Sequence, residues 1–402
     1  MLRFRSIGSL TLLSASLFAA SPFAAITAFA ADGVIELNQT CASAGECVRG
    51  DDPGFPITID GADGRSYRLT SDLLVGDANT SGIEIAAAAN GVSIDLNGFS
   101  IRGVTSCTEG GSTLSCAPLG AGVGIRSFAV GIRIHDGHIS AMGNNGVQVS
   151  SGSLIESVTV SENGNFGFGL GSSTTIKDST SRRNGSHGFI LSQGNTAQNC
   201  TSDANGGDGY AVSSGVQVHG SAARANGGAG FQSIGTTANL QNNTSEFNSG
   251  HGIRAGAHST IRNNTVRDNQ GTGITAGDSS VIEGNTVGES DGVGIDADSG
   301  AVISNNAVSE SGEGGIVAGS GSVIRGNSVF DNGTDMTHDG ISCTLGCRVQ
   351  DNTIRSNGGF GLRFNSNSSG YSGNSISANG AGNVTLGRDT GGNVCGTSTS
   401  CP

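Results

Sequence analysis

Apolar residues recur along the chain with a fixed period of about 21 residues. One set follows a glycine in each repeat and keeps its phase over more than 230 residues, with one interval lengthened to 25. Its members are Val147, Phe168, Phe189, Tyr210, Phe231, Ile253, Ile274, Ile295, Ile316, Ile341, Leu362 and Val384. Such a period predicts a repeat architecture, in which stacking buries apolar faces that a single repeat cannot bury alone.

Two further apolar sets keep the same phase. The second comprises Ile155, Ile176, Ala197, Val218, Leu240, Ile261, Ile282, Ile303, Ile324 and Val349. The third comprises Val160, Ser181, Ser202, Ala223, Ser245, Val266, Val287, Val308, Val329, Ile354 and Ile376. Because the segments are short, rich in β-branched residues and separated by Gly, Asn and Ser, they predict strands. Each repeat is therefore expected to form one coil of three strands, stacked in parallel at about 4.8 Å per coil.

The side-chain volumes indicate that the three sets share one interior. Where the first set is aromatic, as at Phe189, the third set is small, as at Ser202. Where the first set is isoleucine, as at Ile274, the third set is valine, as at Val287. The summed volume per coil stays roughly level, as close packing requires.

Asparagines form two more sets at the turns of the repeats. One runs Asn243, Asn264, Asn285, Asn306, Asn327, Asn352 and Asn374. The other runs Asn163, Asn184, Asn205, Asn226, Asn248, Asn269, Asn332, Asn357 and Asn379, with Ser290 and Ser311 filling its gap. Stacked amides can bond to each other along the axis and satisfy turn groups that water does not reach.

The motif G-[IF]…[IV]-x-x-N-x-V…N, with the early segment VSIDLNGFSIRG, resembles the right-handed parallel β-helix repeat proteins of bacteria, within the pectate-lyase-like superfamily. The resemblance covers residues 82–386 and implies an all-β, single right-handed parallel β-helix of about 12 to 14 coils. The crossover rule favours the same hand. Lyases, hydrolases, epimerases and adhesins share this fold, so the resemblance predicts the fold and not the activity.

The ends of the chain lack the repeat. Residues 1–30 resemble a secretory signal, with Arg3 and Arg5 before an apolar stretch and a cleavage site near Ala30. Residues 31–81 are expected to form an N-terminal cap and the first strands, and residues 387–402 a C-terminal cap closed by a disulfide. Caps cover the open ends of a solenoid, which otherwise invite edge-to-edge pairing.

Composition narrows the choice of partners. The 402 residues include 33 acidic and 20 basic ones, a net charge of −13, and no basic stripe, which argues against a nucleic-acid partner. A polyanionic glycan would be repelled unless cations bridge it. No segment after the signal is long and apolar enough to span a bilayer. We expect a secreted or periplasmic monomer.

Eight of the nine cysteines lie in close pairs, which predict disulfides in an oxidising compartment. The pairs are Cys41 with Cys47, Cys107 with Cys116, Cys343 with Cys347, and Cys395 with Cys401. Cys200 obeys the repeat and is expected to be a small buried residue rather than a reactive thiol.

Function is expected where the repeat is broken, because insertions form loops on one face. The first break is the insertion 104–120. If Leu96 aligns with Ile134, Asp95 lies beside Arg133, and a cluster of possible acid–base residues lies on the bend under the loop: His135, Asp136 and His138. The alternative is a solvated bend with a surface ion pair.

The second break is the 25-residue coil, whose four extra residues bring Asp335, His338 and Asp339 together as weak catalytic candidates. Four acids spaced by 21 residues end there: Asp268, Glu289, Glu310 and Asp331. Stacked like charges repel unless they splay into water or share a cation, so calcium is a possible ligand. Splayed, solvated acids are the alternative. His187 and His251, in contrast, occupy a turn position of the repeat and are expected to be structural.

The sequence therefore predicts a protein that associates with or acts on an extracellular or cell-envelope polysaccharide, without firm catalytic residues. A single lysine and scarce aromatic platforms argue against catalysis. A structural or adhesive surface protein remains an alternative, and so does a calcium-assisted uronate lyase or epimerase.

Overall fold

The computed structural model describes residues 33–61, 65–110, 113–396 and 401. The predicted signal peptide, residues 1–30, lies outside them. The chain winds into about 13 coils of about 21 residues, each made of three short strands that pair in parallel with the next coil. The all-β parallel β-helix is confirmed, and the period follows because each coil must return to the same register to stack.

The first sheet contains the strands that follow the repeat's glycine. In the described part of the chain it has 15 strands. They are Ile57–Ile59, Ile83–Ile85, Ile125–Ser127, Val147–Val149, Phe168–Leu170, Phe189–Leu191, Tyr210–Val212, Phe231–Ser233, Ile253–Ala255, Ile274–Ala276, Ile295–Ala297, Ile316–Ala318, Ile341–Cys343, Phe360–Phe364 and Gly382–Thr385.

The other strands form a second and a third face, which meet at a sharp corner. The second face contains Ile35–Leu37, Ser66–Leu69, Ser93–Asp95, Thr175–Lys177, Thr196–Gln198, Gln217–His219, Asn239–Gln241, Thr260–Arg262, Val281–Glu283, Val302–Ser304, Val323–Arg325, Arg348–Gln350, Gly370–Ser372 and Arg388–Asp389. The third face contains Leu73–Leu74, Ser100–Arg102, Thr180–Arg182, Thr201–Asp203, Ala222–Arg224, Thr244–Glu246, Thr265–Arg267, Thr286–Gly288, Ala307–Ser309, Ser328–Phe330, Thr353–Arg355, Ser375–Ser377 and Val394–Cys395. Two long strands, Arg133–Ser140 and Leu154–Ser161, bend through the corner and belong to both faces.

The three apolar sets point into one shared core. Ile253 pairs with Ile274 in the first sheet, Ile261 with Ile282 on the second face, and Val266 with Val287 on the third. All six side chains are buried. Because the interior repeats coil by coil, the hydrophobic contribution grows with each coil added.

The aromatic part of the first set forms a continuous stack. Ring centroids lie 5.0 Å apart between Phe168 and Phe189, 4.7 Å between Phe189 and Tyr210, and 4.8 Å between Tyr210 and Phe231. The coil spacing sets this distance. Small buried residues on the third face, such as Ser202, leave the room that the rings need.

The two asparagine ladders are present and buried. Asn264 illustrates the pattern: its Oδ1 accepts the backbone N–H of Asn243, and its Nδ2 donates to Oδ1 of Asn285, both at 2.9 Å. Nδ2 also donates to the carbonyl oxygen of Leu240. Each amide therefore satisfies the turn groups of neighbouring coils, as buried polar groups require.

Left-handed residues make the corner that follows each third-face strand. The φ angle of the corner residue is 54° for Asp268, 52° for Glu289, 54° for Glu310 and 56° for Asp331. This backbone conformation turns the chain within one residue and points the side chain away from the core. The predicted acidic set therefore lies on an outer corner.

Both ends carry the expected disulfides. At the N-terminal end a disulfide joins Cys41, within the helix Gln39–Ala44, to Cys47 just beyond the helix. At the C-terminal end Cys395 bonds to Cys401, and parallel pairing extends past residue 386. Cys107–Cys116 and Cys343–Cys347 are also bonded, and Cys200 is free and buried. Among the described helices, none has the length and apolar character needed to cross a bilayer.

Candidate functional site

The insertion forms an antiparallel hairpin of Ser106–Gly110 and Thr113–Ala117. It leaves the coil after a third-face strand and folds along the axis over the following coils. Arg183 pairs with Glu109 of the hairpin and donates to the carbonyl oxygen of Cys107 at 3.0 Å. The expectation that the hairpin covers His135 is therefore wrong, because the insertion starts at the far end of the third face.

The register around His135 also differs from the expected one. Ile134 pairs with Ile94 and not with Leu96, so Asp95 lies opposite His135 rather than Arg133. The physical reason is a wider bend at residues 96–99, which leaves Leu96 buried as an additional inward residue. His138 lies beyond the bend, on the third face, opposite Ser100.

The corrected register brings together Asp95, His135 and Asp136. Nδ1 of His135 lies 2.8 Å from Asp136 Oδ2 and 3.7 Å from Asp95 Oδ1. In the described part of the chain, this is the only group of three acidic, histidine or cysteine side chains that could hold one metal ion. Oδ2 of Asp95, however, already accepts a hydrogen bond from Nε of Arg68, at 2.8 Å. The arrangement works as a surface ion-pair network, and a catalytic or metal role stays a prediction.

The 25-residue coil separates its three candidates into two groups. Nδ1 of His338 lies 3.2 Å from Asp335 Oδ1, which also accepts the Thr337 hydroxyl at 2.6 Å. The Thr337 hydrogen bonds lower the pKa of Asp335. Asp339 instead pairs with Arg363 and accepts the N–H of Phe360 at 2.8 Å. The structure brings His338 to Asp335 and engages Asp339 elsewhere.

The acidic set on the outer corner does not converge on one point within the described chain. Its members follow one another at the coil spacing of about 4.8 Å. The charge of Asp268 raises the pKa of Glu289, while Arg267 opposes the rise. Repulsion along the corner is therefore present, and calcium binding there stays a prediction.

The turn histidines act as backbone acceptors. Nδ1 of His187 accepts the N–H of Asp208 at 2.9 Å, and Nδ1 of His251 accepts that of Thr272 at 3.1 Å. Each bond joins one coil to the next. This is the structural role that their position in the repeat predicts.

A groove lies on the outer face of the first sheet, beside the row of turns that follows its strands. Around the coils of residues 232–298 its volume is about 570 Å³. The central residues of successive strands form its floor: Gln232, Arg254 and Thr275, with Asp296 next in register. Ile234, which is 78% exposed, forms part of the rim together with Asp278 and Asp298.

Two charged groups on this face of the first sheet, one on the groove floor and one next in register to it, lack partners in the described chain. Arg254 is exposed and forms no ion pair, and Asp296 is half-buried without a hydrogen bond. Burial raises the pKa of Asp296, the charge of Asp298 raises it further, and His251 lowers it. A half-buried carboxyl with a perturbed pKa in a cleft is typical of functional sites.

Sequence reasoning missed this site because its residues keep the repeat. The middle residue of each first-sheet strand points outward, and in successive coils it is Gln232, Arg254, Thr275 and Asp296. The sequence predicts a structural role for residues that are in phase with the repeat. The available signal was the irregular charge at an outward position whose two neighbours are apolar at Arg254, Thr275 and Asp296.

The sequence matches the family described as "Right handed beta helix region" over residues 121–260 and 253–399. No curated protein matched the chain. Among solved structures, the A-module of one Azotobacter vinelandii mannuronan C-5 epimerase is 14% identical, with a TM-score of 0.47, covering 91% of this chain and 97% of that one. A second A-module from that organism is 12% identical, with a TM-score of 0.41 and coverage of 78% and 92%. A periplasmic alginate epimerase is 13% identical, with a TM-score of 0.38 and coverage of 82% and 77%.

These structural likenesses are too distant to say anything about activity. The family match stands on its own, because its two segments together span more than half of the chain and coincide with the stacked coils. The protein belongs to the right-handed β-helix family.

Proposed function

We propose that the protein is exported and binds an extended polysaccharide along the groove of the first sheet. The observation that carries this proposal is a row of one polar residue per coil, with Gln232, Arg254 and Thr275 on the groove floor and Asp296 next in register. The coil spacing of about 4.8 Å is close to the length of one sugar unit in an extended chain. Polar groups at this spacing can each meet a successive sugar.

Arg254 suggests what the sugar carries. An unpaired guanidinium matches the geometry of a carboxylate and can bind it through two parallel hydrogen bonds. The net charge of −13 repels polyanions at a distance. A uronate-containing glycan would therefore be held locally at Arg254, and its binding would weaken as salt screens this pairing.

Export is supported by two observations. The first residues resemble a secretory signal, and four disulfides join neighbouring cysteines in the folded chain. Disulfides form and persist in oxidising compartments. Amino-terminal sequencing of protein recovered from the periplasm or medium should begin shortly after Ala30, and a protein that keeps its first residues in the cytoplasm would contradict export.

The test is a binding screen of the mature protein against alginate, pectate, chondroitin and neutral glycans, with and without calcium. We expect at least one uronate-containing polymer to bind, and more weakly at high salt. If no polysaccharide binds, the structural or adhesive alternative replaces this proposal. If only neutral glycans bind, the role assigned to Arg254 is wrong.

The screen also tests the catalytic alternative, a uronate lyase or epimerase. One observation favours it: Asp296, next in register to Thr275 of the groove floor, has a raised pKa and lies in the electrostatic reach of His251, so candidate acid–base groups lie beside the groove. The ultraviolet absorbance of an unsaturated uronate would reveal a lyase. If it appears, Asp296→Asn, His338→Ala and His135→Ala identify which of the three sites performs the reaction.

Calcium is tested on the acidic corner. If Glu289 and its neighbours share an ion, calcium raises the melting temperature of the wild-type protein and not that of a Glu289→Gln, Glu310→Gln double variant. No change in the wild-type protein on adding and chelating calcium eliminates this site.

A further inference from the structure

A second depression lies away from the groove, at the corner after the third face. The inserted hairpin reaches this corner through the ion pair between Glu109 and Arg183. In the following coils the same left-handed corner position is held by Ala204, Ala225 and then Phe247. Because the two alanine side chains are small, they form the bottom of a depression between the hairpin on one side and the phenylalanine ring on the other.

The resulting cleft has a volume of about 300 Å³. Glu109 and Leu114 of the hairpin line one side, and Phe247, Ser249 and Gln270 line the other. This size is at the lower end of small-molecule sites and is too small for a helix or a folded partner. The cleft exists only because the hairpin folds back over the coils.

Phenylalanine is an unfavourable residue for the left-handed backbone conformation at position 247. Its φ angle is 57°, a conformation that is a genuine outlier for a bulky side chain. The residue is also 44% exposed. Arg224 lies over the ring, with its guanidinium carbon 5.2 Å from the centroid, and fixes its orientation. Alanine serves the same corner in the two preceding coils, so the turn itself does not need an aromatic ring.

The groups around the ring define the ligand. Ser249 and Gln270 are exposed, and their side chains form no hydrogen bond within the described chain. Asp268 occupies the next corner position, and Glu109 lies opposite, so an anion is disfavoured. An aromatic face beside free amide and hydroxyl groups suits a ring with one apolar face and several hydroxyls.

We propose that this cleft binds one uncharged sugar residue, with Phe247 as the stacking platform and Gln270 and Ser249 as hydrogen-bonding groups. The site is separate from the first-sheet groove and goes beyond the function proposed for it. It would let the protein hold a neutral side chain or end of a glycan independently of the groove.

Saturation-transfer NMR of the full mature protein tests the proposal. The probes are the methyl glycosides of glucose, galactose, xylose and N-acetylglucosamine, with methyl glucuronide as the charged comparison. We expect transfer to at least one uncharged glycoside that depends on Phe247, whereas any transfer to the glucuronide should depend on Arg254 of the groove and not on Phe247. Phe247→Asn should weaken binding roughly tenfold, since an aromatic contact contributes on this scale.

Asparagine is chosen because it tolerates the left-handed conformation. The melting temperature of Phe247→Asn should equal or exceed that of the wild-type protein, which separates lost binding from lost folding. Phe330→Ala is the matched control, because Arg355 also lies over that ring, at 4.9 Å from the centroid, and Phe330 does not line the cleft. The proposal is overturned if no uncharged glycoside binds, if only the glucuronide binds, if Phe247→Asn binds normally, or if Phe330→Ala loses binding equally. Arg254→Gln should leave this signal unchanged, so failure here and failure of the groove are distinguishable.

Discussion

Nδ1 of His251 accepts the backbone N–H of Thr272, 3.1 Å away and one coil further along. The same relationship recurs at this turn with different chemistry: Asn145 accepts the N–H of Phe166 and Asp208 that of Ala229. A bond of this kind requires Nδ1 to carry no proton. The turn therefore requires a side-chain acceptor long enough to contact the backbone N–H of the next coil. A histidine at this position links one coil to the next.

This link predicts a pH dependence for His251. Burial, and then the charge of Arg254, lower the pKa of its imidazole. The folded state therefore binds the proton less tightly than the unfolded state. Its contribution to stability is full above the usual value of 6.5 and is lost as the pH falls through the lowered pKa.

His251→Asn should keep the bond at every pH, as Asn145 does in an earlier coil. We expect the variant to lose less stability than the wild-type protein between neutral pH and about pH 5, measured by urea unfolding. His187→Asn, at the same turn position three coils earlier, is the comparison. An identical pH profile for wild-type protein and His251→Asn would contradict this role.

The interrupted asparagine ladder offers a gain in stability. Ser290 and Ser311 replace two asparagines, and the buried Ser311 hydroxyl oxygen has no hydrogen-bond partner among the described residues. Ser290→Asn with Ser311→Asn should restore the amide-to-amide bonds seen between Asn248 and Asn269 at 2.9 Å. We expect the free energy of unfolding to rise by about 1 to 2 kcal/mol, and Asn248→Ser to lower it by a similar amount. Thermal and urea unfolding measure both, and a destabilised double variant would show that these coils cannot accept the ladder.

The aromatic stack predicts a coupled pair in the core. Ser202→Val adds volume beside Phe189 and should cost about 1 to 3 kcal/mol by overpacking. Phe189→Ile alone should cost about 2 kcal/mol or more by leaving a cavity. Together they recreate the Ile and Val combination of later coils, so the double variant should be more stable than the two single losses predict. Additive losses in a double-mutant cycle would argue against volume compensation.

Asp296 predicts the opposite sign of pH dependence from His251. Because the pKa of this carboxyl is raised, the folded state holds its proton more tightly than the unfolded state, and stability falls as pH rises from 3.8 through the raised pKa. Asp296→Asn should therefore raise the melting temperature at neutral pH and change it little well below pH 3.8. Asp291→Asn is an exposed control. A loss of stability at neutral pH would show that the carboxylate is needed for folding.

The fold could be predicted because its interior repeats. Ile261, Asn264 and Val266 each occupy a position that recurs in every coil and is buried there, so periodicity alone identifies core and turn. The prediction failed where a coil changes length: Ile94 and Ile101 are seven residues apart, whereas Ile134 and Ile139 are five apart. The alignment of Leu96 with Ile134 therefore places Asp95 beside Arg133, whereas in the structure Asp95 lies opposite His135.

The candidate sites were harder to predict because they depend on the outer surface. Arg254 and Asp296 obey the period, and only three-dimensional stacking shows that they share a groove. The hairpin contact with Arg183 depends on the direction in which an insertion folds, which the period does not encode. Phe247 and Ala225 occupy the same corner position of the repeat and differ only in the size of the side chain, so the period does not single out Phe247.

The most direct test of the central claim is calorimetric titration of the mature protein with the uronate-containing polysaccharide that binds best in the screen. We predict that Arg254→Gln weakens binding by about tenfold or more, as loss of a charge-assisted pair implies. Arg325→Gln, an exposed arginine on the second face, should bind like the wild-type protein. Equal affinity of Arg254→Gln and wild-type protein would contradict a polysaccharide site on the first sheet.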